Sequence, residues 1–235
     1  MLPERVAAWS VHVYTALGAP LALVALLAIA SGRYAVAFWC MVVATFIDST
    51  DGHLARRFRV KEVLPQFDGA RLDDIVDYLN YVVVPLMLAY HAGLVPQNPL
   101  GLLVATVPLI ASGYGFAQSA AKTADHFFTG FPSYWNIVVL YLFVLNWPQW
   151  VNVAWLIGLS ILVFVPIRYL YPSRNRTAQK TTYVLGIIWA ILVFVVVAQL
   201  PTPSRDLALA SLFFPAYYVA VSFWVHFRQR RVAVA

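Results

Sequence analysis

The stretch Asp48-Ser49-Thr50-Asp51-Gly52-His53-Leu54-Ala55-Arg56, followed after twelve residues by Gly69-Ala70-Arg71-Leu72-Asp73-Asp74-Ile75-Val76-Asp77, decides how this chain is read. Asp48 and Asp51 are spaced i, i+3, and Asp73 and Asp77 are spaced i, i+4, so each pair shares one face of a helix. Seven of the ten acidic residues in the chain lie between positions 48 and 77. The apolar sequence on either side places both segments at the ends of membrane helices. Asp48, fifteen residues after Arg33, lies about 22 Å along the second helix. Asp77 lies about 9 Å beyond Arg71 by the same rise. Ionised carboxylates at such depths are costly and are usually functional.

Working outward, the composition makes the surroundings a bilayer. Of 235 residues, 62% are hydrophobic and only 11% are charged, too few for the charged shell of a soluble domain this long. About 20 apolar residues cross the hydrocarbon, and eight such stretches are centred near Leu21, Val42, Val83, Thr106, Leu140, Leu159, Ile191 and Tyr217, the sixth running from Val151 to Leu170. The first, Val6 to Ile29, is too long for a signal-peptide core and reads as a mature helix. The sequence therefore predicts an all-α integral membrane protein, a single membrane-embedded domain over residues 1–235 with about eight transmembrane helices. An even helix count with both termini cytoplasmic leaves only Arg33 and Arg205 of the sixteen Lys and Arg residues on the outer side. The net charge of +6 then meets anionic lipid and nucleotide on the inner face. The basic residues are scattered over helix ends, which argues against a nucleic-acid partner. The lone cysteine, Cys40, sits in an apolar run and reads as a packing residue.

Two helices joined by a short basic loop are antiparallel neighbours, so the faces bearing Asp48 and Asp51 and bearing Asp73 and Asp77 can converge. Carboxylates this close raise one another's pKa unless cations sit among them. All-oxygen ligation suits a hard divalent ion such as Mg²⁺ or Mn²⁺. The competing reading is that the acids pair with Arg56, Arg57, Arg59, Lys61 and Arg71 at the helix ends. It accounts well for Glu62, Asp68 and Asp74, and poorly for Asp48 and Asp51, which lie on the membrane side of the arginines.

Taken together, the two halves of the motif resemble the signature of the CDP-alcohol phosphotransferase family. Eight separated positions agree in type and order. The twelve-residue spacer between Arg56 and Gly69 is longer than the family's usual one and is similar to that of a bacterial subgroup whose acceptor is choline. Ser10-Val-His12-Val-Tyr-Thr15-Ala-Leu-Gly18, Val60-Lys-Glu-Val-Leu-Pro65 and Phe127-Phe-Thr-Gly-Phe-Pro-Ser-Tyr-Trp135-Asn136 also look like that subgroup.

The resemblance implies that Asp48, Asp51, Asp73 and Asp77 hold two divalent cations and that Asp77 serves as general base. Gly52, Ala55, Arg56 and Gly69 would line the cytidine diphosphate site of CDP-diacylglycerol. A glycine lets a nucleotide reach the backbone, though close helix packing is the ordinary reason for one in a membrane. Arg56 offers two parallel donors to phosphate. The resemblance also implies a homodimer in the bacterial inner membrane, surrounded by lipid, and the charge distribution puts the active site on the cytoplasmic face. A quaternary ammonium such as choline's prefers aromatic faces. Tyr134, Trp135, Tyr81 and Tyr78 are the candidates near the inner side, against the usual anchoring role of such residues. His12 and Asn136 are candidates to orient the alcohol's hydroxyl.

Three alternatives stay open on sequence grounds. The same chemistry could serve serine, glycerol phosphate or inositol phosphate, with Arg168, Arg174 and Arg176 as a basic pocket. A cation transporter could use the aspartates as an ion site, although no inverted repeat is visible. A scaffold would leave the intramembrane acids unexplained.

Overall fold

The computed structural model describes residues 2–118, 127–170 and 179–234. Helices joined by short loops make up most of these residues, with two three-residue strands besides. Helix α1 (Leu2–Ala16) continues into α2 (Gly18–Ala30), and α3 (Tyr34–Arg57) returns antiparallel to α2. A short α4 (Val60–Val63) lies in the basic loop, and Asp68 caps α5 (Gly69–Asp77) by accepting from the Arg71 N–H at 3.1 Å. A π-helical turn (Tyr78–Val83) then leads into α6 (Val84–His91). Pro85 supplies the reason for the widened turn: it lacks the N–H that would close on the Tyr81 carbonyl, and its ring presses on that same group. Helices α7 (Pro99–Ala117), α8 (Trp135–Leu145), α9 (Gln149–Phe164), α10 (Gln179–Ala198), α11 (Arg205–Ser211) and α12 (Phe213–Val234) complete the helical set.

Among the described residues, five helices are long and apolar enough to cross a membrane: Pro3–Ala30, Tyr34–Arg57, Pro99–Ala117, Gln179–Ala198 and Arg205–Phe227. The other three expected spans are helical but differ in form. Gly69–His91 is interrupted by the π turn. Trp135–Leu145 has 11 residues, about 16 Å of rise, and ends where Asn146 turns left-handed. The sixth was expected to run to Leu170; it stops at Phe164, where Val165, preceding Pro166, goes extended. Residues Arg168–Leu170 form instead a strand, β2, antiparallel to β1 (Phe127–Thr129). Those two strands are the exception to the all-α expectation. Lys122, Arg174 and Arg176 lie outside the described residues, as does the side chain of Arg168.

The core forms where α2, α3, the π turn, α6, α8 and α9 meet, around Ala25, Phe38, Leu86, Leu88, Trp135, Leu142 and Leu156. Small residues on α2 (Ala22, Ala25, Ala28) let α3 approach closely, the packing that membrane helices use in place of a hydrophobic driving force. Cys40 is a free, buried member of this core. Ile110, Trp150, Ile161, Ile187 and Ile191 are exposed on the opposite faces of their helices, as lipid contact requires. At the end far from the aspartates, Tyr34 donates to the His91 carbonyl at 2.9 Å and Asn152 to that of Leu94 at 2.9 Å, pinning the loops.

Candidate active site

The motif's two halves meet. Asp48, Asp73 and Asp77, all half-buried, each offer a carboxylate oxygen, and these oxygens lie within 4.8 Å of one another. Asp51, one turn beyond Asp48 on α3, is buried to 6% exposure. It accepts from the Thr15 hydroxyl at 2.7 Å and lies within hydrogen-bonding reach of the Gly52 N–H and the Asp73 side chain. Asp51 thus joins the cluster through Asp73, with one oxygen held by α1. Three carboxylates converging from α3 and α5 form a hard, all-oxygen donor set that fits a divalent cation. In the basic loop Arg59 lies 3.7 Å from Glu4 and 3.8 Å from Glu62, and at the start of α5 Arg71 lies 3.9 Å from Asp68. Ion pairing therefore accounts for Glu62 and Asp68, as the pairing reading expected, while Asp48, Asp73 and Asp77 converge on one another.

Tyr81 is tied into the cluster. The π turn carries its hydroxyl to Asp48, to which it donates at 2.7 Å. The hydroxyl also lies within reach of Thr45 and in the field of Asp77. Thr45 in turn accepts from the Asn136 amide at 3.3 Å. Asn80 donates to the carbonyls of Gly18 at 2.9 Å and Val76 at 3.0 Å, locking the start of the π turn onto α2.

The residues expected at the nucleotide site lie at the C-terminal end of α3 and the first position of α5. Arg56 is exposed, and its guanidinium lies 3.4 Å from where a side chain on Gly52 would begin. Ala55 packs against the small apolar cluster of Ala8, Val11, Val60 and Leu64. Gly69 is filled from outside: a Cβ there would stand 2.5 Å from the His12 ring. That ring is wedged between Trp9 and Phe67, with centroids 5.7 and 4.4 Å away, and its Nε2 is buried without a hydrogen-bond partner.

The aromatic candidates separate. Tyr81 and Tyr134 lie 6.5 Å apart, ring to ring. Trp135 is fully buried, donates to the Ser112 hydroxyl at 2.7 Å and packs on Phe131; its place is in the core. Tyr78 donates to the Leu109 carbonyl at 2.9 Å and packs on Phe116. With Arg71, Asp74 and Phe116 it borders an open cleft of about 680 Å³ between α5 and α7. The loop before α8 is fixed by Gly130, whose left-handed backbone (φ 83°) presses on the Val163 carbonyl too closely for a side chain. Two residues that the sequence did not bring forward, Tyr169 and Tyr218, extend the line of rings beyond Tyr134.

A helical membrane protein with aspartates from neighbouring helices converging near one end of the bundle is an enzyme-like arrangement for a phosphorylated substrate. The CDP-alcohol phosphatidyltransferase family model matches residues 10–167, and the chain belongs to that family. Among its relatives, the phosphatidylcholine synthase of Legionella pneumophila is 39% identical over 230 residues, spanning 95% of this chain and 90% of the relative. That of Pseudomonas aeruginosa is 36% identical, spanning 96% and 94%. That of Borreliella burgdorferi is 33% identical, spanning 95% and 96%.

Proposed function

We propose that this chain transfers the phosphatidyl group of CDP-diacylglycerol to choline, giving phosphatidylcholine and CMP. The observation that carries the proposal is the meeting of Asp48, Asp73 and Asp77 within 4.8 Å, at the motif of a family whose similar members are named phosphatidylcholine synthase.

Asp48, Asp73 and Asp77, with Asp51 linked through Asp73, would hold two divalent cations, Mg²⁺ or Mn²⁺. Bound there, such ions supply electrostatic stabilisation of a diphosphate and of the leaving CMP. Asp77 accepts the proton of the choline hydroxyl as general base. The alcohol oxygen bonds to the phosphorus that carries diacylglycerol. The bond from that phosphorus to the oxygen bridging to CMP breaks, and CMP departs with its electron pair. Tyr81 holds the Asp48 carboxylate in position by the bond described above. Arg56 and the open backbone at Gly52 bind the cytidine diphosphate, with Ala55 and Gly69 shaping its inner wall. The His12 ring fills the space at Gly69, so Gly69 acts by admitting that ring.

The surroundings complete the reading. The chain works as a single membrane-embedded unit of eight helical passes, the short or broken helices included, as a homodimer in the bacterial inner membrane. Both termini and the active site face the cytoplasm, which the distribution of Arg and Lys supports. The test is purified protein given CDP-diacylglycerol and labelled choline, serine, glycerol phosphate or inositol phosphate, with Mg²⁺, Mn²⁺ or a chelator. Choline incorporation with stoichiometric, metal-dependent CMP release is expected. Incorporation of another alcohol in place of choline would overturn the acceptor, and absence of CMP release with every alcohol would overturn the reaction. Asp77→Asn is expected to abolish turnover in a folded protein.

A further inference from the structure

From the carboxylates a row of phenol rings leads away, assembled from four separate elements. Tyr81, on the π turn, is bonded to Asp48. Its ring lies 6.5 Å from that of Tyr134, at the entrance to α8. Tyr134 lies 6.5 Å from Tyr218 on α12. Tyr218 lies 6.2 Å from Tyr169 on β2, with ring planes 22° apart. Tyr169 is 3% exposed, and Tyr134 and Tyr218 are half-buried. Asn136, two residues after Tyr134 and 6% exposed, keeps its Oδ1 buried without a hydrogen-bond partner.

This lining attracts positive charge chiefly through aromatic faces, with a buried amide oxygen beside it and carboxylates at its head. A cation bearing N–H groups would need a directed acceptor for each of them, which ring faces do not supply. A quaternary ammonium needs none. Its charge is spread over methyl groups, which rest on aromatic faces and make weak C–H···O contacts. We propose that Tyr134, Tyr169 and Tyr218, with Tyr81 at the head of the row and Asn136 Oδ1 beside it, select the quaternary ammonium of the acceptor alcohol. This rests on the choline reading above and adds to it residues from β2 and α12. An alcohol whose ammonium rests at the head of this row, by Tyr81 and Tyr134, extends its hydroxyl, two carbons away, toward Asp48 and Asp77, with Tyr218 and Tyr169 lining the approach behind it.

The experiment measures choline and CDP-diacylglycerol kinetics for Tyr169→Leu, Tyr218→Leu and the corresponding Phe variants. It also measures inhibition of the wild type by the uncharged carbon isostere of choline, in which tert-butyl replaces trimethylammonium. Each Leu variant is expected to raise KM for choline roughly tenfold while KM for CDP-diacylglycerol stays within about twofold. The Phe variants, which keep the ring, are expected to stay within about threefold of wild type. The isostere is expected to inhibit roughly tenfold more weakly than choline binds. Unchanged choline KM in both Leu variants, or parallel rises in both KM values, overturns the proposal and leaves the reaction standing. Should the Leu variants not fold, the isostere decides: inhibition as strong as choline's overturns the proposal. If the wild type uses an alcohol other than choline, this proposal and the acceptor assignment fall together.

Discussion

The Tyr81 hydroxyl donates to an Asp48 carboxylate oxygen at 2.7 Å, and that bond joins the helix carrying one aspartate pair to the turn that follows the other. A neighbouring donor that orients a ligating carboxylate commonly matters almost as much as the ligand itself. Tyr81→Phe keeps the ring and removes the bond. It is expected to raise the metal concentration giving half-maximal CMP release roughly tenfold or more, with the melting temperature little changed. A metal titration of the variant beside wild type checks this, and coincident titration curves would deny Tyr81 the positioning role.

Thr15 reaches Asp51 across α1 and α3 at 2.7 Å, in a buried place. Thr15→Val is close to isosteric and leaves a buried carboxylate oxygen short of a donor. A loss of about 1–3 kcal/mol is expected, together with weakened metal dependence, because Asp51 is in turn linked to Asp73. Thermal unfolding in detergent, with and without Mn²⁺, reads both effects.

The aspartate pairs were legible because helical periodicity alone puts residues three and four apart on one face, and a short loop forces the two helices together. The aromatic row was legible only in part. Tyr134 and Trp135 are adjacent in sequence, and the left-handed Ser133 (φ 59°) just before them helps set which one enters the core. That conformation is a property of the loop rather than of residue type. Tyr169 was read as the end of a helix; Val165 goes extended ahead of Pro166, the helix stops, and the residues beyond pair with β1. Tyr218, 84 positions beyond Tyr134 in the chain, reaches the row only because α12 packs on β2. The contacts Thr15–Asp51 and His12–Gly69 likewise depend on how α1 crosses the motif, which spacing within the motif cannot report.

Gly69 and His12 are expected to behave as one unit. Gly69→Ala places a methyl group 2.5 Å from the His12 ring, so ring or helix must shift. The cost is expected to be about 1–3 kcal/mol of stability with a higher KM for CDP-diacylglycerol. His12→Ala in the same chain opens the space and is expected to recover most of the stability lost to Gly69→Ala. A double-mutant cycle on unfolding measures this as a coupling energy. Additive losses would mean that Gly69 is required for a reason other than admitting the ring.

Trp135 provides the complementary case, a residue whose type suits a choline site and whose position does not. Its indole is completely buried, donates to Ser112 at 2.7 Å and lies in the core beside Phe131. Trp135→Phe removes the donor and part of the ring, leaving Ser112 short of a partner and a small void. A loss of about 1–3 kcal/mol is expected. KM for choline is expected to stay within about twofold of wild type, since the shortened ring is not among the four that form the row. The contrast with Tyr218→Leu is the informative measurement: one variant lowers the melting temperature and spares KM, the other raises KM for choline. A tenfold rise in choline KM for Trp135→Phe at an unchanged melting temperature would put the indole at the substrate rather than in the core.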